Sequence, residues 1–128
     1  MLDTNICIYV INECDEELLE RFEKHAAQIC ISSVTYTELC YGVANSTRIE
    51  RNTRELEAFR LDLTVLPFGE EAGAHYAEIR RALRQRGTPI GANDLFLAAH
   101  ARSLGATLVT NNRSEFDRVP ELRVENWA

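Results

Sequence analysis

Lysine is almost missing from this chain of 128 residues: Lys24 is the only one, so arginine carries nearly all the positive charge. No apolar run approaches the roughly 20 residues needed to cross a bilayer, so no membrane-spanning helix is expected within these residues. The N-terminus also lacks the basic and apolar regions of a signal peptide, so the expected location is the cytoplasm. The four cysteines, Cys7, Cys14, Cys30 and Cys40, contain no C-x-x-C pair. They read as reduced packing residues rather than as a zinc site or a disulfide framework. Three prolines and six glycines are too few for a flexible linker, and no internal repeat or low-complexity tract interrupts the chain. The length supports one hydrophobic core, so residues 1–128 are expected to form a single domain.

The formal net charge of −6 argues against a protein that coats nucleic acid through its overall field. Local charge differs from the total. Arg48, Arg51, Arg54 and Arg60 form one group, and Arg80, Arg81, Arg84 and Arg86 form another. Arginine binds phosphate in a fork and stacks on bases, so either group could face RNA. For the first group the simpler reading is a solvated helix face paired with neighbouring glutamates.

Strand-like and helical stretches alternate. Residues 1–2 read as the stub of a strand, and helices are expected over 5–12, 16–25, 35–43, 48–61, 70–86 and 93–104. Strands are expected over 28–32, 63–68 and 107–110, with an edge strand over 122–127. Ala72, Tyr76, Ile79 and Leu83 recur at three and four residues, which marks an amphipathic helix that Gly87 ends. This alternation predicts an α/β domain with a mainly parallel sheet and right-handed crossovers. Only Met1 and Leu2 precede Asp3, where a strand usually runs about five residues. Either the start lies upstream or the first strand is unusually short.

Three acids occupy the junctions where a strand-like run meets a helix start: Asp3, Glu38 and Asp94. In an α/β fold such junctions converge on the crevice at the carboxyl ends of parallel strands. Unit charges about 4 Å apart repel by roughly 4 kcal/mol at an effective dielectric near 20. A hard divalent cation is the usual reason to collect them. Each acid alone has a simpler explanation as a helix cap. Asp3 suits the first helix, Thr35-x-x-Glu38 has the form of a capping box, and Asn93 or Asp94 suits the third. Jointly that explanation weakens, because Thr4, Asn5, Thr35 and Asn93 stand beside these acids and would cap as well.

The motifs around the acids are specific. Leu2-Asp3-Thr4-Asn5 opens the chain, and Ile31-Ser32-Ser33-Val34-Thr35-x-x-Glu38-Leu39-x-x-Gly42 follows. Next come Pro89-Ile90-Gly91-x-x-Asp94-x-x-x-Ala98 and Val109-Thr110-Asn111-Asn112-x-x-Glu115-Phe116. In this order and spacing the chain resembles PIN-domain ribonucleases of the VapC toxin type over nearly its whole length. The resemblance implies an α/β/α sandwich with a central mainly parallel sheet. It also implies an RNA endonuclease dependent on Mg²⁺ or Mn²⁺, leaving a 5′-phosphate and a 3′-hydroxyl. Implied partners are structured RNA such as a tRNA anticodon stem-loop, a VapB-type antitoxin, and a second copy in a homodimer.

Carried over position by position, the resemblance makes Asp3, Glu38 and Asp94 the catalytic, metal-binding acids, with Thr4 and Asn5 as the pair that orients Asp3. Many relatives place a fourth aspartate after the last strand, where this chain has Asn112, with Glu115 three residues on. Either Glu115 supplies the fourth acid or Asn112 holds a metal-bound water. Arg80 and Arg84 share a helix face leading to the Pro89 turn, which makes them candidates for RNA or antitoxin contact. His100 reads as a core or interface histidine rather than a catalytic base, and His25 and His75 have no evident partner. The alternative function is a PIN module that binds RNA or antitoxin without cutting. A haloacid-dehalogenase phosphatase expects a second acid two residues after the first aspartate, and Asn5 stands there.

Overall fold

The computed structural model describes residues 1–127. Its strands are β1 (Cys30–Ser32), β2 (Thr64–Leu66), β3 (Leu108–Val109) and β4 (Val124–Glu125). Its helices are α1 (Thr4–Ile11), α2 (Glu16–Lys24), α3 (Ser33–Ala44), α4 (Ile49–Leu61), α5 (Glu70–Gln85), α6 (Ala92–Leu104) and α7 (Arg113–Phe116), with a 3-10 turn at Ala26–Gln28.

All pairings are parallel. β1 lies beside β2 with Ile31 opposite Val65, and β3 lies beside β4 with Leu108 opposite Val124. Residues 1–3 join the two pairs. Leu2 bridges Val109 in parallel, Val109 N–H donates to Met1 O at 2.8 Å, and Leu2 N–H donates to Cys30 O at 3.1 Å. The spatial order is therefore β2, β1, residues 1–3, β3, β4. The short opening segment is central because strands on both sides satisfy its backbone.

Alternate residues of the strands feed two cores, as the period of two requires. Leu2, Ile31 and Val109 enter a cluster with Ile6, Cys7 and Val10 of α1, Leu18 and Phe22 of α2, Leu39 of α3, and Leu56 and Phe59 of α4. Met1, Cys30 and Leu108 enter a second cluster with Ile79 and Leu83 of α5, Leu95 and Ala98 of α6, and Phe116 of α7. The sheet thus carries helices on both faces, the architecture that an all-parallel sheet needs to bury both surfaces. Ile79 and Leu83 are fully buried, each stabilising the α5 contact by about 1.5–3 kcal/mol.

Helix ends follow local chemistry. Asp15 caps α2, accepting from Glu17 N at 3.0 Å and Leu18 N at 3.2 Å. After α5, Gly87 takes a left-handed φ of 69°, which lets Thr88 N–H reach back to Leu83 O at 3.0 Å. Gly105 does the same for α6 at φ 63°, with Ala106 N–H donating to Ala101 O at 2.9 Å. Glycine suits this conformation because it has no Cβ to clash.

The sequence expectations differ from the structure mainly at strand ends. The strands expected over 28–32, 63–68, 107–110 and 122–127 all shorten to two or three residues. Single backbone bonds continue into some flanks, as from Thr110 N–H to Glu125 O at 2.9 Å and from Thr64 N–H to Ile29 O at 3.3 Å, but the paired ladder itself ends there. α7 was not expected, since four residues carry no readable periodicity. The cysteines are all free, but Cys14 and Cys40 are exposed rather than packed.

Candidate active site

Asp3 begins the site. It caps α1 through Oδ1, which accepts from Ile6 N at 2.9 Å. Its other oxygen, Oδ2, accepts from the Thr110 hydroxyl just past β3. Thr110 Oγ1 in turn accepts from Asn112 N at 2.9 Å. Asp3 is thus a helix cap and a site acid at once, and it is 4% exposed. Burial raises its pKa against the lowering effect of the Thr110 and Ile6 hydrogen bonds, and the Glu38 charge raises it further.

Glu38 lies on α3 and makes no capping box. Ser32 caps that helix, its Oγ accepting from Val34 N at 3.1 Å. Freed from capping, Glu38 Oε1 accepts from Thr4 Oγ1 at 2.8 Å. Thr4 therefore orients Glu38 rather than Asp3, and the exposed Asn5 side chain makes no hydrogen bond among the described residues; Thr110 is what holds Asp3. Sequence reasoning missed Thr110, although its position directly after a strand beside Asn111-Asn112 is the turn-like signal that marks it.

Asp94 stands in the first turn of α6, whose cap is Gly91. Its pKa is raised to about 7, first by burial, then by a hydrogen bond with Glu115, then by the charges of Glu115, Asp3 and Glu38. Four carboxylates therefore lie near one another: Asp3 at the cap of α1, Glu38 on α3, Asp94 on α6 and Glu115 on α7. Glu115 Oε2 accepts from Asn112 Nδ2 at 3.1 Å, so Asn112 holds the Glu115 carboxylate in place. Between the two residues left open by the sequence, Glu115 is the one that reaches Asp94.

No group of three or more His, Cys, Asp or Glu side chains among the described residues is drawn tightly enough to enclose a metal ion. Mg²⁺ does not ask for such a cage, since it is commonly held by one or two carboxylates and several waters. An all-oxygen, acid-only donor set whose charges crowd Asp3 and Asp94 suits a hard divalent cation.

The three histidines and two members of the first arginine group have partners within the scaffold. His100 is 2% exposed; its Nδ1 lies 2.8 Å from Ser32 Oγ, and burial lowers its pKa. His25 stacks on Trp127 at 5.2 Å. His75 Nδ1 accepts from Arg102 Nε at 2.9 Å. In the first arginine group Arg51 pairs with Glu55 at 3.2 Å and Arg60 lies 5.7 Å from the Tyr36 ring centre.

A parallel sheet with helices on both faces and acids gathered at its carboxyl edge defines an α/β protein built for a charged ligand at that edge. Residues 1–122 match the PIN domain family. Ribonuclease VapC2 of Haemophilus influenzae is 48% identical over 128 residues, covering all of this chain and 97% of that protein. The tRNA(fMet)-specific endonuclease VapC of Salmonella typhimurium is 44% identical with the same coverage. Among solved structures, DNA-bound VapBC from Salmonella typhimurium superposes with a TM-score of 0.96 at 44% identity, over 100% of this chain and 97% of that one. VapBC2 from Rickettsia felis, bound to a promoter DNA fragment, gives 0.95 at 43% identity, over 100% and 98%. The chain belongs to the PIN-domain family, in its branch of VapC ribonucleases, the toxins of VapBC toxin–antitoxin systems. PIN ribonucleases generally depend on a divalent metal.

Proposed function

We propose that this chain, acting as a single PIN domain, hydrolyses RNA with Mg²⁺ or Mn²⁺ held by Asp3, Glu38 and Asp94, and that Glu115 is the fourth acid. The observation that carries the reading is the meeting of these carboxylates at the carboxyl edge of the sheet, where each raises the cost of ionising Asp94. When bound, the ion would neutralise the clustered charge, polarise the phosphoryl group and acidify the attacking water. The protein's own residues prepare that chemistry. Thr110 and the α1 backbone fix Asp3, Thr4 fixes Glu38, and Asn112 fixes Glu115. Asp94 and Glu115 share a hydrogen bond that must open when both ionise.

The substrate is a structured tRNA, cut at one or a few positions in the anticodon region. The Salmonella relative's name makes tRNA(fMet) the first one to test. A net charge of −6 gives little non-specific attraction to polyphosphate, so recognition rests on shape and on exposed bases. The toxin works in the cytoplasm, pairs with itself and is silenced by a VapB-type antitoxin, in keeping with the VapBC complexes it resembles. Among the described residues no helix is long and apolar enough to cross a membrane. Sequencing RNA 5′ ends after expression in cells tests the reading. A few sharp cuts in tRNA are expected; breaks scattered over messenger RNA would refute the tRNA assignment. Tight RNA binding with no cuts would leave a module that binds without cutting.

A further inference from the structure

A ladder of rings crosses the α5–α6 contact and ends at the surface in a guanidinium. Phe68 meets Phe96 edge-on with centres 5.2 Å apart, and Phe96 stacks on Tyr76 at 4.7 Å. Arg80 lies 5.9 Å from the Tyr76 ring centre and donates to the Tyr76 hydroxyl at 3.1 Å. The phenol thus holds the guanidinium at both its ring and its oxygen. Arg84, one turn on, borders the same hollow of about 410 Å³, whose floor is Leu83 and Ile90. Both arginines are exposed, and neither takes part in an ion pair among the described residues. No acid lines the hollow, although the chain as a whole is acidic. Ala92 forms part of its wall and shares the first turn of α6 with Asp94.

We propose that this hollow is a nucleotide subsite, in which an unstacked RNA base lies against the Arg80 guanidinium and the apolar floor while Arg84 grips a neighbouring phosphate. The inference rests on the nuclease reading and deepens it, by placing the strand that leads into the acid cluster. Three observations select RNA as the occupant. An arginine already held on an aromatic ring presents a planar face on which a base stacks. A fork-shaped cation beside it matches a phosphate. The acid cluster itself repels the backbone, so positive charge is needed on the strand's approach, and Arg80 and Arg84 carry it on a wall that also includes Ala92 of the Asp94 turn. An apolar floor beside exposed charge is also how proteins receive splayed single-stranded bases.

The test is a binding cycle on the full chain, in EDTA, using a tRNA anticodon hairpin and a set of hairpins each lacking one loop base. Arg80→Ala is expected to weaken binding to the intact hairpin on the order of tenfold. Arg80→Lys should lose nearly as much, because an ammonium keeps the charge and not the plane. One abasic hairpin should bind about as weakly, and on that RNA Arg80→Ala should cost nothing more. A merely structural arginine would weaken every hairpin alike. Unchanged affinity of Arg80→Ala and Arg84→Ala, or equal sensitivity on all abasic hairpins, would overturn the subsite. So would variants that keep RNA affinity and lose self-association in sedimentation, since a second copy would then own the hollow. Cleavage of the same hairpins in Mg²⁺ separates the two claims. A parent that cuts while the arginine variants bind normally defeats the subsite alone. A parent that shows the abasic cycle but never cuts defeats the nuclease reading alone.

Discussion

Thr4 donates its hydroxyl to Glu38 across 34 residues of sequence, at 2.8 Å. The residue that follows one site acid thereby positions another, and it does so from the N-terminal turn of α1, which Asp3 itself caps. A single hydroxyl on α1 thus holds an acid carried by α3. Removing the hydroxyl frees the Glu38 carboxylate to turn away without disturbing Asp3, whose own partners are Ile6 N and Thr110.

Thr4→Val is therefore expected to raise the Mg²⁺ concentration for half-maximal cleavage by roughly 10–100-fold, the usual range for losing a group that orients a metal ligand. Thr4→Ser should restore most of the loss. Metal titration of cleavage rates checks this, and a Thr4→Val enzyme with parental metal dependence would remove the role assigned to the hydroxyl.

Asp94 sets the pH behaviour of the metal-free protein. Its folded pKa of about 7 lies above the ordinary value of 3.8, so between those values the folded state holds a proton that the unfolded state has released. Stability from this group is then full below about pH 4 and falls as the pH rises to 7. Asp3, also raised, adds in the same direction. In EDTA the Tm is expected to fall from pH 5 to pH 8 more steeply for the parent than for Asp94→Asn, and added Mg²⁺ should flatten the difference. A parent slope no steeper than that of Asp94→Asn would contradict the crowding of these carboxylates.

Asp3, Glu38 and Asp94 stand out in the sequence because each comes shortly after a strand-like run or a turn, near the start of a helical stretch, a pattern that depends only on neighbours. What holds them does not. The Thr110 hydroxyl reaches Asp3 from 107 residues away, and nothing local to either residue announces the pair. The choice between Asn112 and Glu115 was equally closed to sequence reasoning, since α7 is four residues long and only its packing through Phe116 fixes which side chain turns inward. Helices α4, α5 and α6 could be placed closely from periodicity and glycine stops. Strand ends could not, because where a ladder stops depends on the neighbouring strand and not on local composition.

Thr35 tests the packing account. It is fully buried in α3, and among the described residues its hydroxyl finds no hydrogen-bond partner. Replacing the hydroxyl with a methyl group of similar shape relieves an unpaired polar atom, so Thr35→Val is expected to stabilise the fold by about 1 kcal/mol. Urea unfolding measures it directly, and a destabilised variant would mean that the hydroxyl has a partner.

Arg102 is the opposite case. Although nearly buried, it ties α6 to α5 and to the loop before β4. It pairs with Glu78 at 3.1 Å, donates to His75 Nδ1 at 2.9 Å, and donates to Pro120 O at 3.2 Å. Arg102→Ala leaves those partners unmet and a gap behind, at an expected cost of about 2–4 kcal/mol. Chemical denaturation of the variant, with metal affinity unchanged in what remains folded, checks that its part is structural.

The most direct test of the central claim is cleavage of tRNA(fMet) by the full chain across a Mg²⁺ titration, run beside Asp94→Asn under identical conditions. Cleavage that rises with Mg²⁺, stops in excess EDTA and is absent from a folded Asp94→Asn protein is the expected result. Equal cleavage in EDTA, or by Asp94→Asn, would contradict a metal-dependent site built on these acids.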